Sequence, residues 1–200
     1  MGLLMTLVIN LYGGPGSGKS TTATGVFSRL KQADVSCEYV SEYAEDIGWE
    51  GTTELLNNQI HVFSERFRRQ CRLIGKVGYI ITDSPILLSA VYFDFWFERQ
   101  QKPKFLTNTF AKQTREYFLA AFHQFDNINF YITRTKPYHQ IGRMQTKEEA
   151  QLVDHAVLKY LGETKTEFEI TNSQAAIERV SGEIFMREIH IQAQKEEEEE

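Results

Sequence analysis

Short apolar runs alternate with stretches of helical periodicity along almost the whole chain. Residues 6–12 are mostly apolar and stop at a glycine cluster, the pattern of a strand buried on both faces of a parallel sheet. Beyond the glycines, Ala23, Val26, Phe27 and Leu30 recur at helical spacing within 19–32, and 36–41 reads as a second strand. Over 53–76, Leu56, Ile60, Phe63, Phe67, Cys71 and Ile74 follow steps of three and four and predict one long amphipathic helix. Its shoulders are polar, with Gln59, Arg66 and Gln70 on one side of the stripe and Arg68, Arg72 and Lys76 on the other. A third strand at 79–83 ends in an acid, and Ser84-Pro85 places proline at the expected first position of the next helix.

The second half continues in the same way. An exposed loop is expected at 98–105, then a helix over about 107–125 whose inner face carries Phe110, Thr114, Tyr117, Phe118, Ala121 and Phe122. A fourth strand at 129–133 leads into a polar stretch, and Thr146-Lys147-Glu148-Glu149 forms a capping box for a helix to Leu161 that Gly162 is expected to close. A fifth strand at 167–171 precedes a helix from Ser173 to about Ile189, with Ile177, Val180 and Ile184 turned inward. Strands and helices in strict alternation predict an α/β fold around a parallel sheet. Residues 1–192 read as a single domain without linker or repeat, and 193–200 as an acidic disordered tail.

Composition narrows the classes. Of 200 residues 42% are hydrophobic and 24% charged, sufficient for a core and inconsistent with wholesale disorder. The net charge is −5, and residues 195–200 supply −4 of it, so the body is close to neutral, which argues against a broad surface for duplex phosphate while leaving room for a local basic cleft. Two cysteines, Cys37 and Cys71, are too few for a disulfide framework or a four-thiolate metal site, which predicts a reduced, cytoplasmic protein. No apolar stretch approaches the ~20 residues that span a bilayer, so no membrane partner is expected.

Gly13-Gly14-Pro15-Gly16-Ser17-Gly18-Lys19-Ser20 satisfies G-x-x-x-x-G-K-[ST] between a predicted strand and a predicted helix, the setting of a P-loop. Such a loop turns backbone N–H groups toward phosphate oxygens at a helix N-terminus. Lys19 is expected at the β- and γ-phosphates of ATP, Ser20 offers its hydroxyl to Mg²⁺, and Thr21 continues the phosphate-binding turn. Asp83, at the end of an apolar strand, stands where a second acid would hold Mg²⁺ through its water shell, or where a helix N-cap would sit. The five histidines show no paired ligand spacing, so Mg²⁺ brought with ATP is the metal expected.

The P-loop, Ser41-Glu42-Tyr43-Ala44, Thr82-Asp83-Ser84-Pro85, and Arg134-Thr135-Lys136-Pro137-Tyr138 with Ile141-Gly142-Arg143 together resemble the P-loop nucleoside and nucleotide kinases. The likeness is nearest to the branch with ribosylnicotinamide-kinase-like domains and small phage proteins labelled AAA-type ATPases. The resemblance implies a three-layer fold with a five-stranded parallel sheet, order 2-3-1-4-5, and a lid at about 134–147. It implies that Glu42 accepts a proton from, or orients, the substrate hydroxyl, and that Arg134 and Arg143 neutralise the transferred phosphoryl group. In such kinases the long helix helps enclose the acceptor, so Gln59 would pair with a base edge and Arg66 with a substrate phosphate, unless both belong to a solvated face.

The function expected is an ATP- and Mg²⁺-dependent kinase acting on a nucleoside-like or nucleoside-monophosphate-like small molecule. A kinase of DNA ends or of modified bases such as hydroxymethylated pyrimidines is the second reading, disfavoured by the near-neutral body, and a non-kinase P-loop ATPase is the third. The dense aromatics Tyr92, Phe93, Phe95, Trp96 and Phe97 would wall an acceptor pocket or a homodimer contact.

Overall fold

The computed structural model describes residues 5–99, 107–139 and 145–199. Five strands, β1 (Leu7–Tyr12), β2 (Cys37–Val40), β3 (Tyr79–Thr82), β4 (Asp126–Thr133) and β5 (Glu169–Asn172), form one sheet in the order β2-β3-β1-β4-β5, with every neighbouring pair parallel. The central strand is apolar on both sides because helices cover both faces. Ile9 and Leu11 pack with Ala23, Val26 and Leu30 of α1 (Lys19–Gln32) and with Val180 and Ile184 of α7 (Ser173–Glu199). Tyr12 packs on the opposite side with Phe63, Leu87, Phe118 and Val157. Those residues belong to α3 (Gln59–Cys71), the turn before α4 (Leu88–Arg99), α5 (Asn108–Phe122) and α6 (Lys147–Glu163). A buried polar ladder pins β1 to β4: the Asn10 amide donates to Oδ1 of Asn127 at 2.8 Å and of Asn129 at 3.1 Å.

The expected alternation and strand order are present, while several boundaries differ for local physical reasons. The long helix expected over 53–76 is divided at Asn58, which caps α3 by accepting from the His61 N–H, and a short 3₁₀ turn occupies Thr53–Asn57. A helix not expected from the sequence, α2 (Tyr43–Glu50), follows β2 and ends at Gly51 in the left-handed conformation. Pro85 does not open α4: the Leu88 and Ser89 N–H groups bond to the Pro85 and Ile86 carbonyls, and this tighter turn brings the chain to the helix. Gly162 lies within α6, which runs on to Glu163 and is capped at Thr164. The capping box at Thr146 and Glu149 is formed. On α5, Phe110 and Tyr117 are more exposed than expected, and Thr114, Phe118, Ala121 and Phe122 make the buried face.

Glu98 and Arg99 belong to α4, and the rest of the loop expected at 98–105 lies outside the described residues. The tail expected to be disordered from 193 is helical through Glu199, as the last turns of α7. Among the aromatics of α4, Phe93 is buried in the core and Tyr92 and Phe95 pack against it, which accounts for much of their density. Among the described residues no helix is long and apolar enough to cross a membrane.

Candidate active site

The carboxyl ends of β1, β2 and β3 bring the candidate residues to one edge of the sheet, where open α/β sheets receive their ligands. Val40 and Asn10 both lie opposite Thr82, so Glu42, the P-loop and Asp83, each just beyond these positions, emerge side by side. At the loop, Gly13, Gly16 and Gly18 have φ of 141°, 74° and 101°. A Cβ on Gly13 would lie 2.6 Å from the Ser17 Oγ and 2.9 Å from the Ile132 carbonyl oxygen, so neither the backbone conformation nor the space admits a side chain. The turn is closed by the Ser17 N–H on the Gly14 carbonyl, and the buried Lys19 Nζ donates to the same carbonyl at 3.1 Å. The Ser20 and Thr21 side chains remain exposed. Thr22 fastens the start of α1, its hydroxyl donating to the Gly18 carbonyl at 2.9 Å and lying 2.8 Å from Ser173 Oγ.

Asp83 is buried, and its Oδ2 accepts from the Tyr39 hydroxyl at 2.9 Å while Oδ1 has no partner among the described residues. A buried carboxylate oxygen left without a donor is costly unless something supplies one. Burial, reinforced by Asp83, pushes the Tyr39 phenol far above its usual range, so it stays a donor to the carboxylate. Oδ1 of Asp83 and the exposed Ser20 hydroxyl, both hard oxygen groups, fit a hydrated Mg²⁺ carried in with a nucleotide.

Glu42 precedes α2 and faces a buried arginine from α3. Arg66 is only 3% exposed; its Nη2 lies 3.8 Å from Glu42 Oε1 and its Nη1 donates to Ser89 Oγ at 2.7 Å. Burial raises the Glu42 pKa above the ordinary carboxylate value, Lys19 and Arg66 oppose the shift, and Asp83 and Glu45 add to it. Tyr92 beside this group is held protonated by burial and by the Glu42 charge. Of the two shoulders of α3, the fold turns inward the one carrying Gln59, Arg66 and Gln70, all buried, whereas Arg68 is exposed on the other. Gln59 Oε1, Arg66 Nε and Gln70 Nε2, which have no hydrogen-bond partner among the described residues, therefore line that buried face. Gln59 Nε2 is taken by the Leu56 carbonyl, which leaves its oxygen as the available acceptor.

Arg134, immediately after β4, is 15% exposed and sits at the P-loop, its Nη2 donating to the Pro15 carbonyl at 2.9 Å. Arg143 lies outside the described residues. The structure adds one residue the sequence did not reveal: Asp154 of α6, whose Oδ2 pairs with Arg134 Nη2 at 2.8 Å and whose Oδ1 accepts from the Gly14 N–H at 2.6 Å and the Tyr131 hydroxyl at 3.1 Å. The only sequence signal was an acid next to Val153 on the apolar stripe of that helix, which names no partner. Among the described residues no three histidine, cysteine or acidic side chains cluster as a metal cage.

A family model described as "AAA domain" matches residues 8–179. The fold is similar to that of deoxyadenosine kinase from M. mycoides with bound dCTP, with a TM-score of 0.56 and 14% identity over 91% of this chain and 100% of that one. The same enzyme with bound dATP aligns with a TM-score of 0.55 and 13% identity over 92% of this chain and 99% of that one. No curated protein sequence matches significantly. At such identities the likeness shows the fold alone.

Proposed function

This chain belongs to the AAA-domain family, and on that premise we propose that it is a phosphotransferase that moves the γ-phosphoryl group of ATP to a hydroxyl or phosphate of a nucleoside-like small molecule. The observation that supports this most is the meeting, on one sheet edge, of a P-loop, an acid, Asp83, with a buried oxygen that has no partner among the described residues, and a second acid, Glu42, set against the buried Arg66. In this reading the loop N–H groups and Lys19 hold the phosphates, and Ser20 and Asp83 hold Mg²⁺, which when bound would neutralise charge on the phosphate oxygens.

Glu42 orients the acceptor hydroxyl, since phosphoryl transfer depends mainly on alignment and charge. Arg134, held at the P-loop, would neutralise charge on the transferred group. Gln59 offers an acceptor oxygen to a donor on the substrate's base, and Arg66 holds Glu42 in place rather than standing free for a substrate phosphate. The bound nucleotides of the similar enzyme support a nucleoside-like acceptor in the same way.

The test is incubation of the purified protein with Mg²⁺-ATP and a panel of nucleosides, nucleoside monophosphates, nicotinamide riboside and 5′-hydroxyl or modified-base DNA, with ADP and phosphorylated product followed by mass spectrometry. Product that depends on a small acceptor is expected. ADP formed equally without acceptor would replace this reading by that of an ATPase, and product on DNA alone would move the acceptor class.

A further inference from the structure

At the P-loop, α6 makes a polar contact that the roles assigned above leave unexplained. Asp154 accepts three donors: the Gly14 N–H, the Tyr131 hydroxyl and Arg134 Nη2. The same Nη2 reaches the Pro15 carbonyl at 2.9 Å, so a helix, a strand end and the outer turn of the loop meet at one guanidinium. The approach is close. A Cβ on Gly14 would fall 2.5 Å from Asp154 Oδ1 and 2.7 Å from the Ala150 carbonyl oxygen, so α6 lies directly on the loop backbone.

We propose that Asp154 is a positioning residue for phosphoryl transfer, fixing the Arg134 guanidinium against the P-loop while holding the loop backbone through the same carboxylate. The inference rests on the phosphotransferase reading above. Two features separate it from a simple clamp between helix and sheet. The two groups hydrogen-bonded to the arginine share Nη2, the Tyr138 ring lies 5.7 Å from its guanidinium carbon, and its Nε is buried with no hydrogen-bond partner among the described residues. A clamp would be expected to satisfy its buried donors, whereas an arginine held for an incoming anion keeps some in reserve. The carboxylate is itself tied by a backbone N–H and a hydroxyl, so the arginine is held by a fixed group rather than a swinging one. Preorganised charge of this kind lowers a barrier without reorganisation at the moment of reaction.

The experiment compares wild type, Asp154→Asn, Arg134→Gln and the double variant in Mg²⁺-ATP affinity by titration calorimetry, in kcat, and in thermal melting. Asn keeps an oxygen for the Gly14 N–H and loses the charge facing Arg134. Expected for Asp154→Asn are nucleotide affinity within about threefold of wild type and a kcat lower by roughly ten- to a hundredfold, the scale of a small misplacement in a site. Arg134→Gln should lose more, up to ~10³-fold. The double variant should be no slower than Arg134→Gln alone, because both changes remove one coupled interaction. Wild-type kcat in Asp154→Asn, or losses that multiply in the double variant, would overturn the proposal. Where Asp154→Asn does not melt cooperatively, Asp154→Glu takes its place, with the charge kept but one methylene too long for the Gly14 contact; unchanged kcat there would also overturn it. Wild-type protein that binds no nucleotide would instead defeat the phosphotransferase reading first, and the role of Asp154 with it.

Discussion

Lys19 shows how far a single side chain can be read from its neighbours in sequence. Its motif announces a phosphate contact, and the structure places its ammonium on the loop's own Gly14 carbonyl, buried within the P-loop. Lys19→Met should abolish phosphoryl transfer and leave the thermal melt within roughly a few degrees of wild type, since the hydrogen bond its ammonium makes is to the loop's own Gly14 carbonyl. Retained turnover would remove the P-loop from the chemistry. Glu42 gives a prediction in pH. Its raised pKa means that the folded protein holds that proton more tightly than the unfolded chain does. The resulting stabilisation is complete below the unfolded value near 4.5 and is lost as pH rises through the raised one. Glu42→Gln, which mimics the protonated form, should flatten this decline in melting temperature, followed by circular dichroism across that window. In the wild type the acid limb of kcat/KM should lie above the ordinary carboxylate range; a limb at or below 4.5 would exclude Glu42 as the orienting carboxylate.

At the scale of elements, helices whose ends are written locally were the most legible. The capping box at Thr146 and Glu149 is a property of four adjacent residues, and it forms where expected. Thr146→Ala should cost about 1 kcal/mol in urea unfolding, with a proportionate fall in melting temperature, and an unchanged midpoint would show that the cap adds nothing. The helix expected over 53–76 was less legible. Its apolar stripe is real, yet Ile60 and Ile74 are about 40% exposed, while Gln59, Arg66 and Gln70 are buried. Periodicity marks a face; it does not say whether a polar shoulder will be covered. Here the shoulder is covered because Glu42 and Ser89, brought from other elements, supply partners for Arg66. The short α2 was missed for a related reason, since eight residues with one buried position, Ile47, carry too little periodicity to register.

For the molecule as a whole, the close seating of α7 on α1 can be tested at Gly25. A Cβ there would meet Ile177 Cδ1 at 2.6 Å, the end of a side chain on the opposing helix. Gly25→Val should destabilise by roughly 1–3 kcal/mol through overpacking, and adding Ile177→Ala should recover part of that loss. Strict additivity in denaturant unfolding of the double variant would show that the two positions do not share this contact. The amino-acid sequence by itself determined the alternating strands and helices, the P-loop and the acid that ends β3, because each is written in periodicity or in residues adjacent along the chain. The order of the strands came only with the family likeness, and the sheet bears it out. Tertiary structure alone decided which shoulder of α3 faces inward, that Arg66 stands against Glu42, and that Asp154 reaches the Gly14 N–H across 140 positions of sequence. Those contacts exist because parallel crossovers carry distant segments to one edge of a sheet, and no local pattern encodes which side chains will meet there.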